Sequence, residues 1–230
     1  MQFQHSAELW RDFPHLVPGA LYVDGITSTA EIDAGRFYAI ASQRLAGATE
    51  SELPEIQAWR RAFTRMGLKP TQYRCASESL LRRFRNEGSL PALHPLVDLC
   101  NAISLAYAIP VAVLDAARIA GPLEVRYAAG DETYLTFGGD VEHPGPGEVI
   151  FADRIGHAHA RRWTNRQSGR SAVRDATTSA LIVAEALHDQ AAADIPGLLQ
   201  TLTAELEAAW PVTPHPAVLT AAAPVFSYAC

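Results

Sequence analysis

The chain has 230 residues, of which 48% are hydrophobic, and a formal net charge of -6 at pH 7. That apolar share can fill a sizeable core and excludes a disordered chain; the acidic balance excludes a uniformly basic nucleic-acid binder. The length predicts one domain, or one domain with an added helical layer.

In chain order, Val17-Pro18-Gly19 leads into Ala20-Leu21-Tyr22-Val23-Asp24-Gly25-Ile26, a first strand. Thr27 to Glu31 offers capping residues ahead of a helix running to about Leu45. Ser51-Glu52-Leu53-Pro54-Glu55 opens a second helix. It carries Ile56, Trp59, Phe63 and Met66 at helical spacing, an aromatic stripe that reads as core packing, and ends at Gly67. Thr71 to Asn86 predicts a third helix stopped by Gly88, and His94 to Tyr107 a fourth. From Leu123 to about Arg162 the texture changes to strands, with turns at Gly138-Gly139-Asp140 and Pro144-Gly145-Pro146-Gly147. Asp175 to Leu187 fits a helix or a buried strand, and Ile195 to Trp210 an amphipathic helix. The tail from Pro211 to Cys230 is either an extended wrap or loose. The sum is an α+β fold: a mixed, largely antiparallel sheet with packed helices and an N-terminal helical layer.

Of the 19 basic residues, Lys69 is the only lysine, and the arginines cluster at Arg60-Arg61, at Arg82-Arg83-Phe84-Arg85 and from Arg161 to Arg174. Such clusters form either a solvated, salt-bridged face or a basic face that meets phosphates. Three scattered cysteines, Cys75, Cys100 and Cys230, support neither a zinc knuckle nor a disulfide framework. Cys75, on an expected helix, reads as buried and inert. No leader or membrane-spanning run is visible, and a cytoplasmic location is expected. There is no Gly-x-Ser-x-Gly elbow and no phosphate-binding Walker loop.

Three segments carry the candidate chemistry. In Leu96-Val97-Asp98-Leu99-Cys100-Asn101-Ala102-Ile103-Ser104-Leu105, Asp98, Asn101 and Ser104 form a polar ridge on an otherwise apolar helix. Such a ridge needs hydrogen-bond partners: it knits neighbouring loops together or lines a small polar pocket. In Gly156 to Ser171, His157, His159 and Arg161 share one face of a strand. A His-x-His pair can hold a metal, but no third ligand stands at a recognisable spacing, so no metal is expected. Trp163, Asn165, Arg166 and Gln167 follow; an aromatic plane beside amide and guanidinium donors suits a flat or carboxylate-bearing ligand. Glu185 stands alone in Ala180-Leu181-Ile182-Val183-Ala184-Glu185-Ala186-Leu187, either on a solvated face or buried.

The order of Leu96 to Leu105, Ile109-Pro110-Val111-Ala112-Val113-Leu114-Asp115, Leu123 to Ala128, Thr133 to Phe137 and Gly147 to Asp153 resembles the B3/B4 domain of the phenylalanyl-tRNA synthetase beta subunit. It is more similar to the free-standing B3/4-domain proteins. The resemblance spans roughly residues 67 to 187. It implies a single B3/4-like domain over 1–230, with a strand and helices in 1–66 and a helix and tail in 188–230. In the synthetase this domain removes wrongly attached tyrosine from tRNA, and Glu185 aligns with the glutamate that recognises the tyrosyl hydroxyl. The implied function is binding of the aminoacyl end of tRNA and deacylation in trans. The alternatives are a non-catalytic tRNA- or amino-acid-binding module and a small-molecule hydrolase reusing the fold.

On this reading Asp98, Asn101, Ser104, Trp163, Asn165, Arg166, Ser171 and Glu185 contact the substrate, with the ridge facing the Trp163 loop. Arg82, Arg83, Arg85, Arg161, Arg162 and Arg170 meet RNA phosphates. The expected partners are aminoacyl-tRNA and an amino-acid-like small molecule, without DNA, membrane or cofactor. Two departures bear on catalysis, for which no residue is assigned. Ala112 stands where the synthetase has a histidine, and its Thr-x-Ala segment has no counterpart after Leu187.

Overall fold

Two sheets share the central part of the molecule, and the chain crosses between them repeatedly. In the structure, a computed structural model describing residues 1–228, β1 (Gln2–His5) and α1 (Ala7–Asp12) open the chain. They are followed by β2 (Val17–Asp24), α2 (Gly35–Gly47), α3 (Pro54–Arg65), α4 (Ala76–Glu87) and α5 (Pro95–Tyr107). Next come β3 (Val111–Asp115), β4 (Leu123–Tyr127), β5 (Thr133–Leu135), β6 (Val141–Glu142), β7 (Val149–Ala152), β8 (His157–Arg161) and β9 (Arg166–Gln167). β10 (Ser179–Ala186), α6 (Ala191–Ala209), β11 (His215–Val218) and β12 (Val225–Ser227) complete the order. Cys230 lies outside the described residues.

The larger sheet runs β12-β1-β4-β7-β8-β5-β6, with β9 paired to β8, and the smaller runs β11-β2-β10-β3. Only β1–β4 and β5–β8 are parallel among the described strands. The fold is therefore α+β with largely antiparallel sheets, as the sequence predicts. Among the described residues no helix is long and apolar enough to cross a membrane.

The helices start where their sequences allow. Pro54 and Pro95 each occupy the first turn, where the missing N–H costs nothing. His94 caps α5, its Nδ1 accepting from the Leu96 N–H at 3.2 Å. α4 ends at Gly88, which takes the left-handed conformation at φ 74°. Two expected helices begin later than their sequences suggest. The one expected after Thr27 begins at Gly35, and the Thr27 carbonyl accepts instead from the Trp210 indole at 3.1 Å. The one expected from Thr71 begins at Ala76, after an extended Cys75.

Within Asp175 to Leu187, Ser179–Ala186 forms strand β10, and all eight of its residues are buried. Alternation along the strand feeds two cores. Ala180, Ile182, Ala184 and Ala186 pack with α5 and α6, whereas Leu181 and Val183 join the core that holds Trp59 and Trp163. Glu185 continues the second face. On the first face α6 comes so close that a side chain at Gly19 would meet Ile195 at 2.9 Å. The tail wraps: β11 pairs with β2 and β12 with β1.

Candidate functional site

A cavity of about 60 Å³ opens beside Glu185, with Ala112, Trp163, Thr164, Asn165, Arg166 and Gln167 in its wall. Glu185 is only 1% exposed. Its Oε1 accepts the Trp163 indole N–H at 2.9 Å and meets His5 Nε2 at 2.6 Å. An indole can only donate, so Oε1 is an acceptor here, and a proton on His5 Nε2 makes that nitrogen a second donor to it. His5 Nδ1 is buried without a partner. With both donors on Oε1, Oε2 is left for whatever enters the cavity. Trp59 fixes the backbone beneath, its indole donating to the Glu185 carbonyl at 3.3 Å.

The loop that carries Trp163 is strained and sewn down. Arg162 and Trp163 both sit left-handed, at φ 49° and 57°. Each such residue costs about 1–2 kcal/mol. Hydrogen bonds hold the turn: the Trp163 N–H reaches the Val149 carbonyl at 2.7 Å, and the Arg162 N–H reaches Glu148 at 3.0 Å. Asn165 donates to the Arg74 carbonyl at 2.7 Å, Gln167 to the Val113 carbonyl at 2.7 Å, and the Ala76 N–H bonds the Thr164 carbonyl at 2.8 Å. The amide nitrogens of Asn165 and Gln167 are thus engaged in holding the loop. Thr164 Oγ1, by contrast, is buried without a partner.

The expected substrate set divides. Trp163, Asn165, Arg166 and Glu185 come together at the cavity. Asn101 lines a larger adjoining groove of about 630 Å³, which shares Val111 and Gln167 with it. Asp98 and Ser104 do not reach the Trp163 loop, so the ridge does not face it as a unit. Asp98 accepts from the Leu93 N–H at 3.0 Å, and Ser104 is fully buried, donating to the Ile109 carbonyl at 2.6 Å. Those two residues knit the ends of α5. Ser171 is also sealed, bonded to His159 Nδ1 at 2.8 Å.

His157 and His159 both turn to Asp153, at 3.3 and 3.1 Å. Burial pushes the Asp153 carboxyl up, but hydrogen bonds from His159, His157 N–H and Ala120 N–H outweigh it and leave it well below the usual range. Ser171, His159 and Asp153 make a serine–histidine–aspartate chain, yet Ser171 and His159 are both 0% exposed. A nucleophile with no path to a substrate ties the fold together instead. The Cys75 thiol is likewise buried, which pushes it up to about 12. Among the described residues Glu55, His188 and Asp194 could each offer one metal ligand. Arg44 at 2.7 Å from Glu55, and Asp194 bonded to His188 at 2.7 Å, make that group an ion-pair network as it stands.

Most of the expected RNA-binding arginines are already neutralised. Arg82 and Arg85 face Glu50 at 3.9 and 2.7 Å, and Arg83 faces Glu87 at 2.9 Å. Arg161 is buried between Glu142 at 2.5 Å and Glu148 at 2.8 Å. Burial also pushes Glu148 up, but Arg161 outweighs it and the net direction is down. Arg162 stacks over Tyr73 at 4.8 Å, and Arg166 meets Glu142 at 3.2 Å. Arg170 lines a separate cavity. Sequence reasoning did not find His5, Thr164 or Arg118. His5 lies on β1 of the larger sheet and Glu185 on β10 of the smaller one, so they meet only where the two sheets pack, a relation that no local pattern encodes.

A search of solved structures matches an N-terminal fragment of the phenylalanyl-tRNA synthetase beta subunit from Pyrococcus horikoshii at a TM-score of 0.50 and 9% identity. The match covers 92% of this chain and 49% of that one, so the chain spans about half the length of the fragment. At that identity the likeness establishes the fold. No curated protein matches the chain. The family model described as B3/4 domain matches residues 58–197, more than half of the sequence, and the chain belongs to the B3/4 domain family.

Proposed function

We propose that this protein binds the aminoacyl end of a tRNA at the Glu185 cavity and hydrolyses the ester in trans. The carrying observation is the buried Glu185 carboxylate in the cavity wall, oriented by Trp163 and His5. Ester hydrolysis needs an activated water and stabilisation of the developing oxyanion. Glu185 is the base that takes a proton from the attacking water and returns it to the departing ribose oxygen as the acyl–oxygen bond breaks. The unpartnered Thr164 hydroxyl is the side-chain donor for an ester oxygen. The His5 imidazole behind the carboxylate holds it in place. This activity belongs with a cytoplasmic location.

Cavity size favours a small amino acid. An engineered apolar cavity of roughly 150 Å³ admits benzene. At about 60 Å³ this one takes a group of a few heavy atoms, not a tyrosyl ring, while the strained loop stays in place. Ala112 in the wall also favours a second reading, a binding module without hydrolysis, because it adds no acid or base to Glu185.

A panel of misacylated tRNAs, scored for deacylation and for binding, separates these readings. Release of a small amino acid, slowed about 10²-fold in Glu185→Gln, is the expected result. Binding without release would select the module. Neither binding nor release would overturn both.

A further inference from the structure

We propose that a third cavity, beyond the groove, is a subsite for the phosphate of a nucleotide. It has a volume of about 550 Å³ and is lined by Arg118, Arg170, Arg174 and His157, with no acidic side chain in its wall. It shares Ala172 and Arg174 with the 630 Å³ groove, which in turn shares Val111 and Gln167 with the Glu185 cavity. The three are neighbours that share walls.

Its cations differ from the arginines of α4 and β8. The chain is acidic overall, and the arginines of α4 and β8 face carboxylates within 4 Å. Among the described residues Arg118, Arg170 and Arg174 have no carboxylate partner within that distance. The Arg170 Nε is buried and makes no hydrogen bond. Three guanidinium groups left without anions around one concavity suit an oxyanion with several acceptor oxygens, and guanidinium geometry matches phosphate.

The neighbouring ring selects a nucleotide over a bare anion. Phe137, in the groove wall, is 64% exposed, and Arg174 sits over its ring at 5.7 Å. An exposed aromatic face beside a cationic pocket offers a base a stacking platform next to its phosphate. The subsite deepens the tRNA reading and rests on it for the source of the phosphate. The other source is a free mononucleotide.

The test titrates the protein with inorganic phosphate, with adenosine 5′-monophosphate and with uncharged tRNA at several salt concentrations. Arg118→Ala and Arg174→Ala are the first variants, because both side chains are exposed; Arg170→Ala and Phe137→Ala follow, each checked for an unchanged melting temperature. If RNA is the source, each lost arginine lowers the salt slope of tRNA binding by roughly one unit, whereas Arg83→Ala leaves it unchanged. If the nucleotide binds through the arginines and tRNA does not, the subsite stands and the tRNA reading falls. Phe137→Ala then weakens the nucleotide several-fold more than inorganic phosphate. Binding of all three probes unchanged in the arginine variants, or binding of none in wild type, overturns the subsite. Deacylation lost in Glu185→Gln would still support the aminoacyl cavity in that case.

Discussion

The Trp163 indole donates to Glu185 Oε1 at 2.9 Å from a residue whose backbone is left-handed at φ 57°. A hydrogen bond to a charged group contributes about 1.5–3 kcal/mol, enough to offset the roughly 1–2 kcal/mol of strain at that residue. Trp163→Phe keeps most of the ring and deletes the donor. It should lower stability by about 2–4 kcal/mol, from the lost bond and the imperfect fill, seen as a lower urea midpoint. An unchanged midpoint would mean that the strained turn is held without Glu185.

Arg161 and Arg83 each belong to a basic cluster of the sequence but stand in opposite environments. Arg161 is buried against Glu142 and Glu148, whereas Arg83 faces Glu87 at the surface. Removing one partner of a buried ion pair costs about 3–5 kcal/mol, and an exposed pair is worth under about 1 kcal/mol. Arg161→Ala should therefore unfold at much lower denaturant, while Arg83→Ala should match wild type. Equal midpoints for the two variants would contradict this assignment.

Acid should destabilise the protein through Glu132 and Asp153. Burial pushes Glu132 up, but the N–H groups of Ala129 and Gly130 and the Arg126 guanidinium outweigh it and bring it to about 2. Asp153 is lowered by its own hydrogen bonds in the same way. A carboxyl that is lowered on folding stabilises above its unfolded pKa, and that stability drains away as pH falls through the folded value. Stability should fall from about pH 5 downwards, and Glu132→Gln should flatten that slope in a denaturation series between pH 2 and 6. An unchanged slope in the variant would remove Glu132 from the account.

Cys75 and Cys100 are both buried, and burial pushes both thiols up. In a Cys230→Ser background neither should react with a thiol reagent in the native protein, and both should react on unfolding. Fast native labelling would reopen a cysteine nucleophile.

The sequence made parts of this architecture legible because their signals are local. The Ile56, Trp59 and Phe63 stripe and the prolines at the first turns define α3 and α5. Trp163, Asn165 and Glu185 stand out because polar and aromatic groups interrupt otherwise simple runs. β10 could be read as helix or strand, since a strand buried on both faces shows no alternation of polarity. The polar ridge of α5 was visible, but its partners were not: Ser104 is satisfied by Ile109 five residues on. The arginine clusters were visible, whereas the carboxylates that neutralise them lie on other elements. His5 and Glu185 are 180 residues apart, on strands of different sheets, and meet only where those sheets pack.

The central claim is that the Glu185 cavity receives the aminoacyl group. Calorimetric titration with a non-hydrolysable 3′-aminoacylamino-adenosine carrying a small side chain tests it directly. Wild type should bind it more tightly than adenosine alone, and Glu185→Gln should lose at least tenfold in affinity while remaining folded at the temperature of the titration. Equal binding by wild type and Glu185→Gln, or no binding by wild type, would contradict the account.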